Sequence, residues 1–309
     1  MYFVLAMALF SRDSYEEVMR KLVQGLRSIL IVKKEWAVPT SSAFSKARAR
    51  LGIEPLREIF DMVAVPCALR SMAGAWQRGR RLMAIDGVEI DAPDTPENAI
   101  RFGYSGVKKN EKSAFVKVPA MALAECGTHA VVEVEVGTEA DDEHSLANRL
   151  VAVTDKLEPG MLVMTDRGLY SYHLLSGIVE RGADVCMRVT ATLDLPVLGW
   201  LPDGSYVSYI AEPGAKAKAR SKLKSGAVSI TGLPGMPVRV VEYEVPNRGD
   251  ESKRELFALV TNLTDPAEIT SVDLAEAYHE RWEVELTFDE IEMHQRGGAV
   301  ILRSKFPIS

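Results

Sequence analysis

Arg81-Leu82-Met83-Ala84-Ile85-Asp86-Gly87 and Met161-Leu162-Val163-Met164-Thr165-Asp166-Arg167-Gly168 follow one plan, an apolar run that ends on an aspartate with glycine close behind. Unbroken apolar runs of this length suit strands buried on both faces, as in a parallel sheet covered by helices. A carboxylate at the end of such a strand falls in the crevice at the sheet's carboxyl edge, where α/β proteins bind ligands. Asp-Gly and Asp-x-Gly also close strands as plain turns. Two acids on neighbouring strands, however, repel unless something positive lies between them, and a hard divalent cation held by oxygen ligands meets that need.

Around these two runs the pattern predicts strands over 81–86, 115–124 and 130–136, the last two joined by a turn containing Gly127. A helix over 143–157, a strand over 161–165, a helix over 172–181 and a strand over 184–189 follow. Strands that give way to alternating helix and strand imply an α/β sheet with covered faces. Residues 191–261 depart from that alternation. Short strands at 206–210, 227–230, 238–245 and 256–261, separated by Gly/Pro turns, read as a β-rich insertion. A long helix then runs from Asp273 to about Gln295, with Val284, Phe288 and Ile291 as its apolar stripe. The first eighty residues are helical. Tyr2 to Phe10 reads as a buried helix, Ser14 and Glu17 as a capping box, Phe44 to Leu51 as another helix, and Pro55 to about Met72 as a third. Lys46, Arg48 and Arg50 on one of these could dock on DNA or decorate a plain helical cap.

The chain has 309 residues, 47% hydrophobic and 26% charged, which is globular composition for about two domains and excludes disordered, collagen-like and coiled-coil classes. Cys67, Cys126 and Cys186 are too few and too scattered for a disulfide framework or a zinc site, so a reducing, cytoplasmic setting is expected. The run Tyr2–Phe10 reaches about half of the ~20 residues that span a bilayer, so no membrane is expected. Net charge is −6, but unevenly spread: residues 1–80 carry thirteen Lys/Arg against seven Asp/Glu. Residues 213–240 hold Lys216, Lys218, Arg220, Lys222, Lys224 and Arg239 with no acid. Two basic regions flanking an acidic remainder suit a protein that holds a polyanion outside and divalent metal at its centre; ordinary clustering of solvated surface would give the same tally.

A third candidate lies on the long helix. At ~100° per residue, Tyr278, Arg281 and Glu285 fall at about 0°, 300° and 340°, on one narrow stripe beside the apolar one. There they could aim phosphate-binding and metal-binding groups at one point; for an arbitrary helix, Arg281 and Glu285 would be no more than an i,i+4 surface pair.

Together these features resemble the bacterial insertion-sequence transposases of the fourth family, which belong to the DDE class. The resemblance is carried by Ala84-Ile85-Asp86-Gly87-Val88-Glu89-Ile90-Asp91-Ala92-Pro93, by Thr165-Asp166-Arg167-Gly168-Leu169-Tyr170-Ser171, and by the spacing Tyr278-x2-Arg281-x3-Glu285. Residues 11–70 and the stretches His294-Gln295-Arg296-Gly297 and Leu302-Arg303-Ser304-Lys305 extend it over essentially the whole chain. It implies an α/β fold: a ribonuclease-H-like mixed sheet with flanking helices, a β-rich insertion and an N-terminal helical domain. The corresponding division is 1–78 helical and DNA-contacting, 79–190 catalytic core, 191–261 insertion, and 262–309 the second part of the core with the Glu285 helix.

By the same resemblance Asp86, Asp166 and Glu285 hold two Mg²⁺ ions, with Mn²⁺ able to substitute, and catalyse strand cleavage and strand transfer at insertion-sequence ends. Tyr278 and Arg281 contact phosphate. Lys216, Lys218, Arg220, Lys222 and Lys224 join the N-terminal helices in binding DNA, and a homodimer pairs two inverted-repeat ends before meeting target DNA. Three features depart from the family. Its signature continues to a lysine where this chain has Glu292, and similar proteins continue beyond the equivalent of Ser309 and begin before that of Met1. An inactive truncated transposase that only binds DNA, and a metal-dependent nuclease of the same fold, are the alternatives.

Overall fold

The computed structural model describes residues 1–26, 38–104, 113–190, 192–215, 234–247, 250–291, 301–302 and 304–305, with the side chains of 247, 250–253, 285 and 289 outside that description. Its centre is the pair of apolar runs. β2 (Arg80–Ala92) and β5 (Met161–Thr165) lie parallel, from Arg81 opposite Met161 to Ile85 opposite Thr165. On the far side of β2, β3 (Val116–Glu125) and β4 (Ala130–Val136) pair antiparallel, and on the far side of β5, β6 (Asp184–Val189) continues in parallel. This gives the order β4-β3-β2-β5-β6, three antiparallel neighbours followed by two parallel ones, which is the ribonuclease-H-like arrangement.

Alternation along β2 and β5 feeds two separate cores. Met83 and Ile85, with Val163, meet α6 (Glu143–Val153) and α7 (Tyr172–Glu180) through Leu146, Leu150, Leu174 and Ile178. Leu82 and Ala84, with Leu162 and Met164, meet α8 (Ser271–Glu280) and α9 (Trp282–Asp289) through Leu274, Ala277, Tyr278 and Val284. Sealing both faces is why these strands carry no polar alternation, and each such Leu, Ile or Met contributes roughly 1.5–3 kcal/mol by leaving water.

The strands within 191–261 prolong this same sheet. β10 (Asp250–Thr261) pairs antiparallel with β6, Ala258 opposite Val189, and is followed by β9 (Gly235–Asn247), β8 (Tyr206–Ala211) and β7 (Gly199–Trp200). The strand expected over 227–230 lies outside the described residues. β1 (Trp76–Gln77) pairs with the start of β2. Past Asp86 the chain forms the end of β2 and then a short helix, α5 (Pro96–Phe102), capped by Thr95.

The N-terminal part holds α1 (Tyr2–Leu9), α2 (Tyr15–Leu26), α3 (Ser41–Leu51) and α4 (Glu54–Val63). Phe3 stacks on Phe44 at 4.1 Å, and Tyr15 meets both edge-on. The reading of Tyr2–Phe10 as buried is corrected: in α1 only Ala6 is buried, and Tyr2, Leu5 and Leu9 are exposed. α4 stops at Val63, well short of Met72, because Pro66 disfavours helix at the residue before it. The chain beyond is tied to the sheet by Glu125, whose carboxylate accepts from the backbone N–H groups of Cys67 at 2.9 Å and Ala68 at 2.8 Å. Among the described residues no helix is long and apolar enough to cross a membrane.

Candidate active site

β2 does not stop at Asp86, as the strand reading supposed. It runs on to Ala92, paired there with β3 among the described strands and bonded at the Asp91 carbonyl by Leu302 N–H at 2.7 Å, while its parallel partner β5 ends at Thr165. The sheet therefore forks one residue past the rung Ile85–Thr165. Asp86 and Asp166, 80 residues apart in sequence, are the residues that immediately follow that rung on its two strands. Parallel neighbours lie about 4.8 Å apart, so the fork sets two carboxylate-bearing residues side by side. Asp166 turns away into a 3₁₀ turn over Arg167–Leu169, closed by Leu169 N–H donating to the Asp166 carbonyl at 3.1 Å. Asp86 Oδ1 accepts from the Gly87 N–H at 2.9 Å.

The helix expected from Asp273 to about Gln295 supplies the other wall, but it is not one helix. α8 begins with a full capping box between Thr270 and Asp273, and its ladder breaks at Arg281. There Arg281 N–H reaches the Tyr278 carbonyl and Val284 N–H the Arg281 carbonyl, both i to i+3 contacts of 3₁₀ type. α9 then runs as a separate two-turn segment. The break brings Arg281 over the fork: its guanidinium, 5% exposed, donates to Asp86 Oδ2 at 3.1 Å. Tyr278, 1% exposed, sits edge-on to Phe257, and its buried hydroxyl has no hydrogen-bond partner among the described residues. Burial pushes that phenol above its usual range, with the Arg281 charge opposing and the Asp166 charge adding to the shift. The hydroxyl of Thr165, fully buried just before Asp166, is likewise without a partner among the described residues.

The structure thus gathers Asp86, Asp166, Tyr278 and Arg281 around one fork. Position 285 follows on α9, its side chain outside the described set. Lys216, Lys218, Arg220, Lys222, Lys224 and Glu292 also lie outside the described residues. Among the described residues no three His, Cys, Asp or Glu side chains form a metal-binding group. The donor set at the fork still fits a hard cation: two carboxylates on adjacent strands, one already compensated by a cation in the form of Arg281, beside hydroxyls with unmet hydrogen bonds.

The run Asp141-Asp142-Glu143-His144 could pass for a metal cluster by sequence but reads better as a helix N-terminus, and Glu143 lies near the fork. It opens α6 after the cap residue Asp142, which accepts from Ser145 N–H at 2.7 Å, and one of its carboxylate oxygens lies 3.8 Å from where a Gly87 Cβ would stand. Asp91 and Asp94 are engaged elsewhere, with Lys117 at 2.5 Å and the Tyr104 hydroxyl at 2.6 Å. Arg48, for which the sequence leaves both a DNA contact and a plain helical cap open, donates to the Tyr15 hydroxyl at 2.8 Å.

Such a sheet, forked between two aspartates with an arginine from a broken helix on one of them, defines a ribonuclease-H-like protein with an acidic, phosphate-compatible centre. Residues 77–306 match the family described as "Transposase DDE domain", and residues 1–61 match "Insertion element 4 transposase N-terminal". The chain belongs to the DDE transposases of the insertion element 4 type. It is 27% identical over 294 residues to the transposase InsG for insertion sequence element IS4 of Escherichia coli (strain K12), covering 94% of this chain and 61% of that protein. It is 26% identical over 144 residues to the putative transposase InsZ of the same organism, covering 46% and 47%. The chain thus spans less than two thirds of the length of these curated relatives. Among solved structures it is similar to the endonuclease V of Streptomyces avermitilis, at 13% identity over 77% of this chain and 92% of that one, with a TM-score of 0.28.

Proposed function

We propose that this chain cuts and joins DNA strands at the ends of an insertion sequence. The observation that carries the reading is the fork: Asp86 and Asp166 each follow the rung Ile85–Thr165, and Arg281 bonds to the first of them, in a chain of the DDE family. Asp86, Asp166 and Glu285 would hold two divalent cations, Mg²⁺ or Mn²⁺ in its place. Bound there, these ions activate an attacking water or 3′-hydroxyl and stabilise the leaving oxygen.

The protein's own groups do the rest. Arg281, the counter-ion of Asp86 in the free protein, would turn its fork of donors to a DNA phosphate. Tyr278 donates its unpaired hydroxyl to a phosphate oxygen. The fully covered sheet holds the two aspartates rigidly, so little reorganisation is needed at the moment of reaction. Lys216, Lys218, Arg220, Lys222 and Lys224, with the N-terminal helices, meet the double-stranded inverted-repeat ends and target DNA chiefly through phosphates. Two chains pair two ends as a homodimer, in the cytoplasm, where the host DNA lies.

The test is a supercoiled-plasmid assay with a labelled donor end, run with Mg²⁺ and with EDTA on the wild type and on D86N, D166N and E285Q. Joined products that need metal and vanish in all three variants support the reading. Nicks without joining favour a nuclease, and binding without either favours an inactive DNA-binding remnant.

A further inference from the structure

α9 is held by little besides its side chains. Its backbone ladder is interrupted from α8 at Arg281, and on the sheet side it is anchored mainly by Val284 and Thr287, 0% and 1% exposed. A second attachment comes from the turn between β3 and β4. Glu283, at the start of α9, places Oε2 2.7 Å from His129 Nε2, and Glu290, just past its end, places Oε2 3.0 Å from His129 Nδ1. His129 holds a left-handed backbone, φ +59°, unusual for a residue with a side chain, and so is fixed in this orientation by its surroundings. An ionised carboxylate only accepts hydrogen bonds, and a neutral imidazole donates from one nitrogen alone. Between two ionised carboxylates, a ring that bonds to both is the doubly protonated imidazolium.

We propose that the His129 imidazolium is a positioning residue that clamps both ends of α9 to the β3–β4 turn and so sets where position 285 stands relative to Asp86 and Asp166. The proposal rests on the reading of Glu285 as the third acid. Loss of one proton breaks one of the two bonds and frees one end of the segment that carries Glu285.

Among the described residues the charged and titratable groups around the clamp are Glu283 and Glu290 on α9, Glu280 at the end of α8, Arg281 at the junction, and Glu125 and Cys126 on the hairpin itself. Partial burial works against the imidazolium, but the bonds to Glu283 and Glu290 outweigh it and raise His129 above its ordinary value. With a raised value in the folded protein, the clamp is complete below about pH 6.5, the pKa of an unperturbed histidine, and is lost as pH rises through the folded value.

The experiment follows the full chain by hydrogen exchange of the peptide covering 282–291, corrected for intrinsic rates, at about pH 6 and about pH 8.5, beside metal-dependent cleavage of a donor end. The wild type is compared with H129N, which tolerates a left-handed backbone, and with E290Q, which leaves the turn untouched. In the wild type, exchange is expected to quicken about tenfold at the higher pH, the size of a lost charge-assisted bond. In H129N it is expected to be fast and pH-independent, with kcat lowered and DNA affinity unchanged. E290Q separates clamping from folding: if H129N misfolds, loss of the pH step in E290Q supports the proposal and its retention overturns it. Exchange in H129N equal to the wild type at both pH values also overturns it. A wild type that cleaves with neither Mg²⁺ nor Mn²⁺ defeats the functional reading instead, and exchange still decides the clamp.

Discussion

Arg281 Nη1 lies 3.1 Å from Asp86 Oδ2, across 195 residues of sequence, with both side chains largely buried at 5% and 22% exposure. In the free protein this guanidinium neutralises Asp86, so a metal ion taken up by the same carboxylate, as proposed, would compete with it. R281Q is therefore expected to bind Mn²⁺ more tightly without DNA, by about tenfold, because the positive charge beside the carboxylate is gone. The same variant is expected to bind donor-end DNA less tightly, with a salt dependence flatter by ~0.9 for the lost phosphate contact. Calorimetric titration with Mn²⁺ and binding at two salt concentrations measure both. Unchanged metal affinity would mean that the ion and the arginine use different atoms.

Arg239 is among the largest fully buried side chains of the described residues and joins the outer strands to the start of α8. It donates to Ser205 Oγ at 2.8 Å, to the Ile269 carbonyl at 2.7 Å, and to Asp203, which also accepts from Ser271 N–H at 2.7 Å. Replacing it by alanine leaves Asp203 uncompensated and is expected to cost about 3–5 kcal/mol, seen as a large drop in the thermal midpoint. Partial burial works to raise Asp203, but bonds from Ser205 and Ser271 and the Arg239 charge hold it at about 2. An unfolded aspartate titrates near about 3.9, so this contribution is complete above about pH 4 and is lost as pH falls towards 2. D203N should flatten the wild-type loss of stability over that window.

How much of this was legible in the sequence follows from what each signal measures. β4, β5 and β6 match their expected bounds to the residue, because each is a Val-rich or otherwise β-prone run closed by polar or glycine residues. β2 was cut short at Asp86-Gly87, although Val88-Glu89-Ile90-Asp91-Ala92 alternates as a one-sided strand should. The fork that makes the site arises because β5 ends first, and no single strand's sequence contains that fact. The break at Arg281 was equally hidden, since residues 271–291 contain no glycine or proline; it shows only in the hydrogen bonds. Asp86 and Asp166 stand out as the ends of apolar strands, and Tyr278 and Arg281 by helical spacing, but the pairing of Arg281 with Asp86 joins residues that no periodicity links. His129, a single histidine in a turn, gave no signal at all.

Glu125 is fully buried and binds two backbone N–H groups of the segment after α4, the Thr128 hydroxyl at 2.5 Å, and Arg81. It is the latch between the N-terminal helices and the sheet. E125A leaves those donors unmet and is expected to cost about 3–5 kcal/mol. The loss should be local first, because β2 and β3 keep their own register without it. Limited proteolysis should cut the variant between residues 64 and 75 before the core is touched. Simultaneous loss of both parts would show that they unfold as one unit.

Tyr278→Phe separates a structural role of that residue from a functional one, because the substitution removes a single oxygen and keeps the ring. In the free protein the hydroxyl is buried without a partner among the described residues, and an unmet buried polar group costs about 1–3 kcal/mol. The ring contacts with Phe257 and the packing around Leu274 and Ala277 survive the change. Y278F is therefore expected to leave the thermal midpoint unchanged or raise it by a few degrees. If the hydroxyl donates to a phosphate when DNA is bound, the same variant loses that bond only in the complex, and cleavage of a donor end should fall by about tenfold. A more stable but slower protein is the signature of a group kept for its substrate. A lower midpoint would mean that the hydroxyl has a partner in the free protein. An unchanged cleavage rate would remove Tyr278 from the phosphate-binding set and leave Arg281 to hold the phosphate.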